Sequence, residues 1–344
     1  MNAGLGLSGQ YRHWFKIFLI LSAITFPAGM FLSRKLPFLS YPVVYFGSLW
    51  LGIISMAFSI FIVNNILLIF FKSASFRHYS ALCSFVLLGL ALCYSFYNVY
   101  KGPKIKEITL NFVKKLPSQL NNFIIVHLSD LHLGRLTSNK WLNNIVLNVN
   151  MMDPDIIVIT GDLIDGDIAS FGEFTEILKQ LKSKYGVFAV TGNHEYYAGI
   201  NKFLTFAKKA GINVLKNESR LIANSIYLAG LDDDEGKRFG TTGANLELVL
   251  KNYEPNKSVI LLYHRPTDFQ IAAKSGVDLQ LSGHTHAGQI PPMDLLVMLY
   301  YKYPVGLYFY GDSYIYTSPG TGTWGPALRL FFHSEITKIT LGNK

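Results

Sequence analysis

No aspartate or glutamate occurs before Glu107. Within that stretch lie three apolar runs, residues 17–32, 43–71 and 79–97, none of which contains a charged side chain. A helix needs about 20 apolar residues to cross the hydrocarbon of a bilayer. The second and third runs meet that length, and the first does so if Lys16 snorkels to the interface. Core helices of a globular domain keep a charged face, which these runs lack. A cleaved signal peptide is a poor fit for the first run, because two more follow it. Residues 1–101 are therefore expected to form an all-α transmembrane anchor of about three helices.

Charge follows the same division. Arg12, Lys16, Arg34, Lys35, Lys72, Arg77 and Lys101 are the basic residues of the first 101, and the remainder holds 24 basic and 22 acidic residues. The basic excess belongs to the anchor. A nucleic-acid-binding surface would place it on the soluble fold, so nucleic acid is not an expected partner and the bilayer is. With three spans, Arg34, Lys35, Lys101, Lys104 and Lys106 share a side with the large domain, against Arg12, Lys16, Lys72 and Arg77 opposite. The positive-inside rule then puts the large domain in the cytoplasm. The two cysteines, Cys83 and Cys93, lie in an apolar run and read as small apolar residues rather than a disulfide.

From residue 122 to the end, strand and helix patterns alternate. Strands are expected at 123–128, 156–160, 187–191, 213–215, 219–223, 226–229, 259–263, 279–281, 307–310, 314–317 and 335–341, and helices at 141–150, 173–181, 202–209 and 246–251. This order predicts an α/β domain with helices on sheet faces, and the strand-rich end predicts mixed sheets. Residues 102–121, with Gly102, Pro103 and Pro117, read as a linker and a first edge strand.

Five clusters of ligand-type residues follow predicted strands: Asp130-Leu131-His132, Gly161-Asp162, Gly192-Asn193-His194-Glu195, His264, and Gly283-His284-Thr285-His286. Loops at the carboxyl ends of strands are where open α/β sheets bind ligands. Imidazole and carboxylate together suit manganese, iron, zinc or magnesium. Each cluster alone is a weak signal, but all five in order after strands mark a metal centre. His127, inside a buried strand, reads as a core histidine, and the acidic run 232–235 as a solvated loop. Arg135 and Arg265 adjoin the clusters and have the fork geometry that grips phosphate.

The pattern resembles the calcineurin-like metallophosphoesterases over about residues 122–342. Ser129-Asp130-Leu131-His132-Leu133-Gly134, Asn193-His194-Glu195-Tyr196-Tyr197, His264-Arg265-Pro266 and Leu281-Ser282-Gly283-His284-Thr285-His286 resemble its bacterial membrane-associated branch, as do Gly320-Thr321-Gly322, Arg329 and Glu335-Ile336. Two positions depart from that branch: Ala287 where glycine is usual, and Ser334 where proline commonly precedes the glutamate. The resemblance implies a metallophosphoesterase sandwich of two mixed β-sheets flanked by helices, with two divalent ions, manganese first among them. It implies Asp130, His132 and His286 on one ion, Asn193, His264 and His284 on the other, and Asp162 between them. His194 would serve as a catalytic group facing the phosphoryl oxygen or leaving group.

The branch includes hydrolases of UDP-2,3-diacylglucosamine, a lipid A precursor. With the anchor and the apolar, tyrosine-rich stretch 293–303, this favours a phosphate ester or pyrophosphate on a membrane lipid, cleaved at the inner or plasma membrane of a bacterium by a multi-pass protein. A tethered phosphodiesterase for soluble substrates and a non-catalytic membrane scaffold remain alternatives.

Overall fold

The computed structural model describes residues 9–35, 37–114, 116–166 and 172–343. The chain divides into two compact units.

The first unit comprises residues 1–101 with two short returns of the chain, Gly288–Leu296 and Trp324–His333. Its helices are α1 (Gly9–Lys35), α2 (Pro37–Phe70) and α3 (Ala74–Tyr100). Ser73 caps α3 by accepting from the Phe76 N–H at 3.2 Å. Among the described residues, two helical segments are long and apolar enough to cross a membrane, Ser40–Phe70 and Ala74–Tyr100. Only 11% and 22% of their most apolar windows are buried inside the protein, so they are not the core helices of a soluble fold. Helix α1 carries the first apolar run and holds Pro27 inside one continuous helix. The side chains of its residues 30 and 33–35, Arg34 and Lys35 among them, lie outside those described.

The second unit is a two-sheet sandwich. Its strands are β1 (Lys104–Phe112), β2 (Phe123–Leu128), β3 (Ile156–Thr160), β4 (Val187–Val190), β5 (Ile212–Val214), β6 (Glu218–Ile222), β7 (Ile226–Gly230), β8 (Ser258–Leu262), β9 (Leu279–Ser282), β10 (Gly306–Tyr310), β11 (Ser313–Thr317) and β12 (Glu335–Asn343). One sheet runs β1-β12-β2-β3-β4-β5 and the other β10-β11-β9-β8-β7-β6. Both are mixed: β2–β5 are parallel with β12 antiparallel beside β2, and β7, β8, β9 and β11 are parallel with β6 and β10 antiparallel at the edges.

Period-two alternation decides which face each residue serves. Ile125, Ile156 and Val158 of the first sheet meet Leu228, Ile260, Leu262 and Leu281 of the second between the sheets. Their neighbours Val126, Leu128, Ile157 and Ile159 face the other way. There they pack on α4 (Asn139–Met151), α5 (Gly172–Leu178) and, beyond the short α6 (Asn193–Ala198), α7 (Ile200–Lys209). Tyr263 and Val259 cover the outer face of the second sheet with α8 (Leu246–Leu250) and α9 (Phe269–Lys274). Strands buried on both faces explain why β2, β3 and β8 read as continuous apolar runs.

Three helices lacked a periodic signal. Helices α6 and α9 are six residues long each. Helix α10 (Met293–Tyr300) is apolar all round and buries no residue, so no polar face marks its turns.

Candidate metal centre

The five clusters occupy the carboxyl ends of β2, β3 and β4 in one sheet and of β8 and β9 in the other, so both sheets point their parallel strands at one place. The backbone there bends sharply. Asp130, His132, Asp162, His284 and His286 all have φ between 47° and 72°, the left-handed region that side chains other than glycine seldom enter. Asp and His tolerate it best, yet such residues cost roughly 1–3 kcal/mol each and persist where surrounding structure fixes them. Ala287 also sits at φ 50° and is fully buried.

Three groups of ligand-type side chains result among the described residues; one, His132 with Asp165 and His194, lies at the rim, and two form the centre. Asp130, His132 and His286 present atoms that lie within 4.8 Å of one another, and so do Asp162, His264 and His284. In the first, His132 Nε2 stands 3.0 Å from His286 Nε2, and His286 Nε2 stands 3.5 Å from Asp130 Oδ1. In the second, His284 Nδ1 stands 3.0 Å from His264 Nε2. Asp162 joins them: its Oδ2 is 3.7 Å from His132 Nε2 and 3.3 Å from His264 Nε2. Burial of Asp130 and Asp162 is essentially complete.

The donor set fits divalent cations. His264 Nδ1 donates to the Thr160 carbonyl at 2.7 Å, which leaves Nε2 as the atom turned to the cluster. Burial holds His132 and His284 neutral, at pKa values of about 4 and about 3, so their lone pairs are available. Asn193 Oδ1 is buried without a hydrogen-bond partner, a state that native proteins rarely leave uncompensated. Burial lowers the His264 pKa, but the charges of Asp162, Asp130 and Asp233 outweigh it and push it up to about 10.

The outer contacts are equally specific. Ser129 Oγ donates to Asp130 Oδ2 at 2.5 Å and accepts from Thr160 Oγ1 at 2.8 Å. His127 Nε2 lies 2.7 Å from the same Thr160 hydroxyl; burial pushes its pKa down to about 3, and it is a neutral core residue. Both Asp130 oxygens accept the His284 N–H at 3.1 Å. A Cβ at Gly192 would overlap Asp162 Oδ1, and one at Gly283 would overlap Ser129 Oγ, which is why glycine precedes these ligands.

His194 stands at the rim, its side chain 15% exposed. Its backbone N–H donates to Asp162 Oδ1 at 3.0 Å, and its Nδ1 lies 3.1 Å from Asp165 Oδ1. Burial lowers its pKa, but the Asp165 hydrogen bond with the Asp162 and Asp165 charges pushes it up to about 9. Asp165 and Glu195 are the residues that sequence reasoning did not assign a role. Glu195 is fully buried and takes the N–H groups of Asp162 (2.9 Å), Leu163 (2.8 Å), Ile164 (3.2 Å) and Gly192 (2.6 Å), tying two ligand loops together. The only sequence hint for Asp165 is its place three residues after Asp162.

The two arginines differ from each other. Arg135 is exposed beside the first group. Arg265 makes a bidentate pair with Asp233, Nε to Oδ2 at 2.9 Å and Nη2 to Oδ1 at 2.8 Å. The acidic run is not the solvated loop expected. Asp232 and Asp233 are buried, because Thr191 and Tyr196 donate to Asp232, Lys216 stands 3.5 Å from it, and Arg265 pairs with Asp233.

A two-sheet sandwich that converges two histidine–carboxylate groups on a shared aspartate defines a binuclear metal protein. The chain belongs to the calcineurin-like phosphoesterase family, whose sequence profile matches residues 123–288. It is 37% identical over 264 residues to an uncharacterized metallophosphoesterase of Campylobacter jejuni, covering 76% of this chain and 69% of that protein. It is 37% identical over 262 residues to one from Aquifex aeolicus, covering 75% and 98%. A Danio rerio protein named transmembrane protein with metallophosphoesterase domain is 34% identical over 281 residues, covering 78% of this chain and 64% of that protein.

Proposed function

We propose that this chain is a membrane-anchored hydrolase that uses two divalent ions, manganese first, to cleave a phosphate ester or pyrophosphate carried by a lipid, a substrate of the class of UDP-2,3-diacylglucosamine. The observation that carries the hydrolase reading is Asp162, whose Oδ2 lies within 3.7 Å of imidazole nitrogens from both ligand groups. Paired divalent ions lower the pKa of an attacking water and offset charge on phosphoryl oxygens. Asp130, His132 and His286 would hold one ion, Asn193, His264 and His284 the other, and Asp162 would serve both. His194, oriented through Nδ1 by Asp165, carries at Nε2 the proton that the leaving oxygen takes up. Arg135 is exposed and serves a second phosphate. Arg265 adds charge at that side while held by Asp233.

Two exposed apolar helices, together with the Danio rerio relative's printed name, support anchoring in the membrane. Anchoring, together with the apolar, tyrosine-rich stretch 293–303, is what supports a lipid substrate. Helix α1 lies antiparallel beside α2, with Phe18 against Trp50 and Gly29 against Val44, so the count is taken over three spans: Arg34, Lys35, Lys101, Lys104 and Lys106 on the side of the catalytic unit against Arg12, Lys16, Lys72 and Arg77. That small excess supports a cytoplasmic catalytic unit at a bacterial inner or plasma membrane.

The test is hydrolysis by the full chain in detergent, stripped with chelator and reloaded separately with manganese, iron, zinc or magnesium. UDP-2,3-diacylglucosamine is run beside an aryl phosphodiester, with Asp162→Ala as control. Metal-restored cleavage of the lipid far above the aryl ester supports the full reading. Cleavage of the aryl ester alone removes the lipid substrate, and no metal-dependent cleavage of either removes the hydrolase.

A further inference from the structure

Helix α10 is apolar without a buried face. Met293, Leu295, Leu296, Met298, Leu299 and Tyr300 are all exposed, Leu299 at 75% and Tyr300 at 82%. Between His286 and Tyr310 only Asp294 and Lys302 carry charge. Scattered apolar side chains are normal on a protein surface, but a whole helix of them is not.

What covers this helix is indicated by what its first residues join. Gly288–Leu296 belongs to the same compact unit as the apolar helices. Ile290 and Leu328 pack with Met56 of α2 and Leu88, Ala91 and Leu92 of α3. Ser55 Oγ donates to the Pro291 carbonyl at 2.7 Å, and Asn98 Nδ2 donates to the Arg329 carbonyl at 3.0 Å. In the same unit Trp324 and Phe331 are exposed at 51% and 62%. The start of α10 is thus fixed to the helices whose outer faces must meet lipid. Tryptophan and tyrosine favour the level of the headgroups, where an apolar body meets water at one end.

We propose that α10, with Trp324 and Phe331, is a second membrane contact: a short helix lying along the bilayer at the boundary between headgroups and acyl chains, in addition to the spans. The occupant is lipid. A helix with no charged face has no use for water on any side, and eight residues, about 12 Å, are too short to span. The inference rests on the anchoring part of the proposed function and is independent of the reaction. Its placement matters for function because Tyr301, the residue after α10, sets its ring 6.0 Å from the ring of His284, a ligand of the second group.

The experiment is spin-label accessibility on the full chain in phosphatidylethanolamine–phosphatidylglycerol vesicles. Cys83 and Cys93 are exposed on α3, so Cys93 alone, after Cys83→Ala, gives the bilayer reference. Leu299→Cys and Phe331→Cys, each with Cys83→Ala and Cys93→Ala, are the probes, and Lys251→Cys in that background is the aqueous reference. Collision with oxygen relative to a water-soluble nickel chelate is expected to be several-fold higher at 299 and 331 than at 251, approaching that at Cys93. Values at 299 and 331 matching 251 overturn the second contact while Cys93 upholds anchoring. Probes shielded from both reagents also overturn it, in favour of a protein partner. A water-like signal at Cys93 itself would instead remove the anchoring on which the inference stands.

Discussion

His194 Nδ1 lies 3.1 Å from Asp165 Oδ1, and the backbone N–H of the same histidine donates to Asp162 at 3.0 Å. One short loop after β3 therefore sets both the carboxylate between the two ligand groups and the carboxylate that orients the proposed acid. Replacing Asp165 with asparagine keeps the shape but removes the charge that raises the His194 pKa. Turnover of Asp165→Asn on an ester with a poor leaving group should fall roughly ten- to a hundredfold, within the range of general-acid effects. An ester of a strongly acidic phenol should fall much less, because its leaving oxygen needs no proton. Adding His194→Ala to Asp165→Asn should then cost no more than His194→Ala alone, since the two act as one unit. Additive losses would show that Asp165 acts elsewhere.

Asp162 Oδ2 lies within 3.7 Å of imidazole nitrogens from both ligand groups, so its loss should be felt by both. Asp162→Ala is expected to lower turnover at least a hundredfold. Metal analysis after gel filtration should show fewer than the two ions per chain retained by the wild type. Full metal content with low activity would mean that Asp162 serves the reaction without bridging.

Ser129 tests the outer contacts. Its hydroxyl links Asp130 to the fully buried Thr160. Such partners of metal ligands typically contribute ten- to a hundredfold in affinity. Ser129→Ala should bind its weaker ion about that much less tightly in chelator competition, while excess metal restores most of the turnover. An unchanged affinity would reduce the serine to packing.

The orientation of the chain gives a further expectation. With three apolar helices crossing, the catalytic unit shares a side with Arg34, Lys35, Lys101, Lys104 and Lys106, against Arg12, Lys16, Lys72 and Arg77. A C-terminal green fluorescent protein fusion in bacterial cells should fluoresce, and an alkaline phosphatase fusion at the same point should be inactive. The opposite pair of results would reverse the topology.

Much of this was legible in the sequence because buried parallel strands announce themselves as apolar runs, and the ligands follow those runs directly. Phe123–Leu128 and Ile156–Thr160 hold the bounds that pattern predicts. What could not be read is whatever depends on contacts between distant segments. Asp232 and Asp233 look solvated until Tyr196, Thr191 and Arg265 are brought to them. Glu195 reads as part of a motif, while its role lies in four N–H groups, three of them about thirty residues away. Helix α10 gives no period because the medium that covers it, under the inference above, is not protein.

Glu195 supports the last prediction, which separates holding the site from performing its chemistry. Its two oxygens accept four backbone N–H groups in a fully buried position. Glutamine keeps the length but turns an NH2 toward two of those donors, leaving both unsatisfied at about 1–3 kcal/mol each. Glu195→Gln should therefore lose roughly 2–6 kcal/mol, which for a domain of this size lowers Tm on the order of 10 °C. Asp165→Asn, whose side chain is 44% exposed, should leave Tm within a few degrees of wild type while still losing turnover. Heating the two variants side by side, metal-loaded, decides the matter: equal Tm values would mean that Glu195 does not hold the two ligand loops together.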